Sequence, residues 1–145
     1  MKQSRLLVSA IALSLSAGGV PLIGASPVLA ASWQEVRAGV SDACTPSQGT
    51  FTVPGGQTAT DFSIEHLSLG QNCYNHLPID DGGFEISTGA CPAQGGNVYW
   101  LSKRALSSES SRPKLDVLRV SPGTYCLSFN GGKNGGVRLR YQLVP

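Results

Sequence analysis

From Gly49 onward, apolar and polar residues alternate in short runs broken by glycine and proline, which is the period of a half-buried β-strand. Thr50-Phe51-Thr52-Val53 ends at Pro54-Gly55-Gly56, and Asp61 to Leu69 resumes with Phe62 and Ile64 on one face. Phe84 to Thr88 follows an Asp81-Gly82-Gly83 turn, and Asn97 to Ser102 carries four apolar residues in a row, Val98 to Leu101. Such a run predicts a strand buried on both faces, or one whose aromatic side a loop covers. Leu115 to Val120, Ser121-Pro122-Gly123 and Thr124 to Phe129 read as a hairpin with proline and glycine at type II turn positions. Asn130 to Gly136 reads as a flexible hairpin loop. Val137 to Leu143 alternates strictly, with Val, Leu, Tyr and Leu on one face and Arg138, Arg140 and Gln142 on the other.

The only helical pattern lies in residues 31–48. Ser32 and Glu35 are spaced like a capping box, and Trp33, Val36 and Val40 give a partial apolar face, so one or two helical turns are expected there. The polar stretch Ser107 to Pro113 predicts a loop. With no helix long enough for a βαβ crossover and no fixed repeat, the expected fold is all-β. It is an antiparallel β-sandwich or jelly roll of about 7–8 short strands over residues 49–145.

Residues 1–30 differ in kind. Lys2 and Arg5 precede an apolar run from Leu6, which Gly18, Gly19 and Pro21 interrupt, and Val28-Leu29-Ala30 supplies small residues at the −3 and −1 positions. This is the pattern of a cleaved secretory signal peptide, too short to span a bilayer. The expected location is therefore secreted or periplasmic. It also changes the charge: the chain's formal +2 comes from Lys2 and Arg5, and the remaining residues balance at 9 basic and 9 acidic. A neutral domain lacks the footprint of a nucleic-acid binder, and no second apolar span follows the signal.

All four cysteines, Cys44, Cys73, Cys91 and Cys126, follow the signal, and an exported chain of this size uses them as two disulfides. No C-x-x-C pair is present, against redox or zinc use. Three pairings are open. Tyr125, Leu127 and Phe129 share a strand face, so Cys126 points to the outer side and needs a loop or terminal segment as partner. Cys44 with Cys126 and Cys73 with Cys91 is the expectation.

For chemistry, His66, His76, Asp80, Asp81 and Glu85 are the one group holding every residue type of a hydrolytic or metal site, but their spacing fits no helix-based ligand pair. Solvated loop and turn roles are favoured, with Asp80-Asp81-Gly82-Gly83 as turn formers. No G-x-S-x-G elbow occurs, and Gly131 to Gly136 has neither Walker spacing nor a following helix. A second group combines Lys133, Arg138 and Arg140 with Tyr74, Tyr99 and Trp100, as a basic strip beside aromatics suited to an anionic glycan or carboxylate.

Leu115 to Leu143, with its strand, Pro-Gly-Thr-Tyr turn, strand, glycine-rich loop and final alternating strand, resembles the end of bacterial pre-peptidase C-terminal domains. Phe51 to Gln57 is similar to their first strand. That resemblance implies a small exported β-sandwich of the kind appended to secreted enzymes. The chain departs from the family in having Asn97-Val98-Tyr99-Trp100 where an Asp-rich strand is usual.

The expected function is an exported, disulfide-held, non-catalytic module binding an extracytoplasmic protein or glycan, or serving structurally, with no cofactor. Two alternatives are a small secreted hydrolase or metal-dependent enzyme using His66, His76, Asp80 and Asp81, and a protease inhibitor presenting Lys103, Arg104 or Arg112 on the 103–113 loop.

Overall fold

The computed structural model describes residues 30–102 and 115–145. The signal segment and the 103–113 loop, with Lys103, Arg104 and Arg112, lie outside the described residues but for Ala30. Eight strands occur in chain order: β1 Ser32–Val40, β2 Pro46–Ser47, β3 Gly49–Val53, β4 Thr58–Ser68, β5 Gly83–Thr88, β6 Asn97–Ser102, β7 Gly123–Asn130 and β8 Gly136–Val144. They form two four-stranded antiparallel sheets, the first in the order β2-β1-β8-β4 and the second β3-β7-β5-β6. No described helix is long and apolar enough to cross a membrane.

The core is what strand alternation dictates. Val137, Leu139, Tyr141 and Leu143 of β8 are all buried, as are Phe51 and Val53 of β3 and Tyr125 and Leu127 of β7. Four rings link the sheets: Phe51 lies 5.4 Å from Tyr125 and 5.2 Å from Tyr141, and Tyr141 lies 5.3 Å from Phe62. Offset aromatic pairs at such distances contribute about 0.5–1.5 kcal/mol each beyond their buried area.

The expected helix in 31–48 is instead β1, paired with β8 from Ser32↔Leu143 to Gly39↔Gly136. Val36 and Ala38, two apart, are buried, and the period of 2 overrides the 3.6 suggested by Val36 and Val40. An isolated turn would bury little. Docking on β8 instead satisfies the backbone of nine residues and covers one edge of the sheet. The sandwich therefore begins at Ser32, not at 49.

Two connections and one strand also differ from expectation. Leu115–Val117 is a 3-10 turn, and Val120 exchanges both backbone hydrogen bonds with Ala59 of β4, at 2.9 Å each, so 115–129 is no hairpin. The chain passes between sheets at Ser121 to Gly123, where Tyr125 Oη donates to the Ser121 carbonyl at 2.8 Å and fixes the corner. Asn130 to Gly136 is likewise an arch between sheets rather than a hairpin loop. It is held by Gly132 N to Leu69 O and by reciprocal Gln71–Lys133 backbone bonds, with its glycines allowing backbone to approach backbone. A Cβ at Gly132 would lie 1.9 Å from the Gln71 carbonyl. Lastly, β6 is an edge strand covered on one face: Leu101 is buried and Tyr99 half-buried, whereas Trp100 is 55% exposed.

The disulfides are Cys44–Cys73 and Cys91–Cys126, with Cα separations of 6.0 and 4.9 Å, and not the expected pairs. Cys126 does point outward and is tied to a loop. The partner follows from strand order: Ser87 of β5 lies opposite Cys126 of β7, so the chain leaving β5 crosses β7 within a few residues. There Cys91 N donates to Thr50 Oγ1 of β3 at 3.1 Å. Cys44 sits on the β1–β2 turn of the other sheet, with a left-handed φ of 62°, and bridges to the segment after β4.

Candidate functional site on the open face of the first sheet

Because the even positions Val36 and Ala38 turn inward, Trp33, Glu35 and Arg37 of β1 project outward. Arg138, Arg140 and Gln142 of β8 project the same way, and the register sets Arg37 opposite Arg138 and Glu35 opposite Arg140. Three guanidiniums thus share two neighbouring strands with one carboxylate. On β4, bulges between Thr60 and Ser63 and between Ile64 and His66 shift the alternation and place His66 opposite Arg138.

Arg37 Nε donates to Glu35 Oε1, while Arg138 Nε stands 3.8 Å from Glu35 Oε2, beyond a hydrogen bond. Arg138 Nε is buried and has no hydrogen-bond partner, a half-satisfied donor beside an ion pair. Arg140 lies over the ring of Trp33, 4.2 Å from its centroid, a cation–π contact that orients the guanidinium without neutralising it. Among the described residues the ion pairs are those of Glu35 with Arg37 and Arg138.

Beside these charges lies a groove of 620 Å³. Its floor is the β1–β8 ladder at Gly39 and Gly136, and Arg37, Arg138 and His66 line it. One wall is the β1–β2 turn, with Val40, Ser41, Thr45, Pro46 and Ser47. Ser41 Oγ accepts from Thr45 N at 3.1 Å, and Cys44–Cys73 braces this turn from behind. The groove can seat an extended anion against paired, fork-shaped donors.

The expected site residues divide among several places. Arg138 and Arg140 are on this face. Trp100 is on the outer face of the second sheet, and Tyr99 faces the core, 6.0 Å from Phe84, so neither joins them in one strip. Tyr99 Oη is buried without a hydrogen-bond partner, and its pKa is pushed up to about 12 by burial and by the nearby Asp116 carboxylate. Lys133 is on the arch, where its Nζ donates to His76 Nδ1 at 2.6 Å, and Tyr74 is 95% exposed on the same loop as His76.

His66 faces the groove and His76 the arch, and Asp81 accepts from Gly82 N at 2.9 Å as a turn former. Among the described residues no group of three or more His, Cys, Asp or Glu comes together to hold a metal ion. The His66, His76, Asp80 and Asp81 grouping is therefore not assembled as a metal centre. Trp33, Glu35 and Arg37 were hidden by the helical reading of 31–48. Strict alternation of Glu35-Val36-Arg37-Ala38 is the signal that exposes them.

Fold and site together define a disulfide-braced antiparallel β-sandwich whose first sheet has an arginine-rich outer face among the described residues. Compared with family models, curated proteins and solved structures, the chain matches none.

Proposed function

We propose that this chain is an exported, non-catalytic binding module whose ligand is anionic and docks on the outer face of the first sheet. One observation carries the reading: Arg37 and Arg138, cross-strand partners lining the groove, share the single carboxylate of Glu35. The contrast with a domain of zero formal charge supports local recognition rather than general polyanion adhesion. The signal pattern of residues 1–30 and the two disulfides support an oxidising, extracytoplasmic setting.

The test is a binding titration with soluble polyanions (polyglutamate, a polyuronate, dextran sulfate) against neutral dextran. At least one polyanion should bind with marked salt dependence, neutral dextran should not, and the double variant Arg37→Gln/Arg138→Gln should lose binding while keeping its melting temperature. Equal binding by the double variant would remove the reading.

A further inference from the structure

We infer that the ligand of this face is a linear polysaccharide carrying carboxylates, laid along β1 and β8 with one carboxylate taking the place now held by Glu35 between Arg37 and Arg138. The inference rests on the anion-binding reading above and adds the ligand's class. Its first ground is the seat itself. Glu35 is bonded to Arg37 and only approaches Arg138, whose Nε stays buried and unpaired. A ligand carboxylate would complete what this side chain half completes.

The second ground is spacing. Arg138 and Arg140 project from the same face two residues apart, about 7 Å along the strand, and Trp33 stands four residues from Arg37, about 13 Å. A single small acid cannot reach all of them, whereas a chain with repeated charges can. Trp33 is 48% exposed and offers its ring edge and free surface at the far end.

The third ground separates a sugar polymer from an acidic peptide. The groove wall carries Ser41, Thr45 and Ser47 beside Val40 and Pro46, and its floor is glycine, a mixed surface suited to a sugar's hydroxyls and C–H faces. Strand addition is also poorly offered on that side, since the edge strand β2 has two residues and one is Pro46, which has no N–H. A hydroxyl-rich chain finds partners at these side chains, and a peptide finds no strand edge long enough to extend.

The experiment uses the oxidised, signal-processed protein with Trp100→Phe, so that fluorescence reports Trp33 alone, titrated in parallel with polyuronate, dextran sulfate and polyglutamate. Polyuronate should bind tightest and perturb Trp33. Glu35→Gln should tighten it by about fivefold, because an internal competitor is removed, and Arg138→Gln should weaken it by about tenfold. Dextran sulfate or polyglutamate binding as tightly as polyuronate would overturn the ligand class and leave the anion-binding reading standing. Failure of every polyanion would overturn both. An unchanged affinity in Glu35→Gln, with Arg138→Gln still weakened, would overturn the placement of the carboxylate at the Glu35 seat. Melting temperatures of both variants within a few degrees of the parent show that the face, not the fold, has changed.

Discussion

The two sheets obey the same alternation and end with opposite outer faces. On the second sheet, the segment after β5 folds back over β3 and β7. Cys91 fastens it to Cys126, and Gln48 Nε2 donates to Ser128 Oγ at 3.0 Å. Among the described residues no such strap crosses β1 and β8, and the outer positions of the first sheet carry Trp33, Arg37, Arg138 and Arg140. Its disulfide, Cys44–Cys73, braces the turn that walls the groove without lining the groove itself. Alternation decides which residues face out. What lies over them decides whether that face is structural or free to bind.

Removing each bridge in turn is the strongest way to break this contrast. The bridges span 29 and 35 residues, so replacing either pair with serine should cost about 4 kcal/mol in denaturant unfolding, by loss of constraint on the unfolded chain. Stability alone does not distinguish them, but binding does. Loss of Cys44–Cys73 should also weaken polyanion binding under conditions where the protein stays folded, because the 41–47 turn is a groove wall. Loss of Cys91–Cys126 should leave the affinity unchanged. Equal effects on binding would mean that the two faces are not independent.

How much of this was legible in the sequence depends on whether a residue's role is set by its own strand or by a neighbour. β8 was legible because Val137, Leu139, Tyr141 and Leu143 repeat at period 2 through a whole strand; of the eight described strands, six lie in the expected 49–145, and β1 and β2 precede it. β1 was not, because Val36 serves equally in an i, i+2 pattern with Ala38 and an i, i+4 pattern with Val40, and Ser32 and Glu35 imitate a cap. That ambiguity concealed half of the candidate site. The outward aim of Cys126 was readable, but its partner depends on β5 lying beside β7, a fact of topology. The same holds for Trp100 and Arg140: their separation follows from β6 and β8 belonging to different sheets.

A smaller effect is expected at the arch, the segment that joins the two faces. Gly70 has a left-handed φ of 70°, and a Cβ there would stand 2.3 Å from the Lys133 carbonyl. Gly70→Ala should cost about 1–3 kcal/mol through backbone strain and displacement of the arch. Gly55→Ala, where a Cβ meets nothing within 4 Å, should stay within about 0.5 kcal/mol. Equal costs at the two positions, measured by unfolding, would mean that the close approach of Gly70 to the arch does not hold it in place.

The subtlest difference between the sheets is in their tyrosines. Tyr99 of the second sheet has its pKa raised from 10.0 to about 12, by burial first and the Asp116 carboxylate second, whereas Tyr141 of the first is raised by burial alone. Below pH 10 both residues are protonated whether the chain is folded or not, and neither makes stability depend on pH. Between pH 10 and about 12 the unfolded chain releases the Tyr99 proton and the folded chain retains it, so stability falls as pH rises. Tyr99→Phe should therefore flatten the decline of melting temperature across that window. At pH 7 it should change stability by no more than about 1 kcal/mol, since the hydroxyl it removes is buried without a partner. Adding Asp116→Asn to the parent should flatten the same window by a smaller amount, because it removes only the second cause. Tyr141→Phe should be insensitive to Asp116→Asn. Parallel pH profiles for the parent and Tyr99→Phe would show that the second sheet's edge does not hold this proton, and the electrostatic asymmetry between the sheets would then lie wholly in the arginine face.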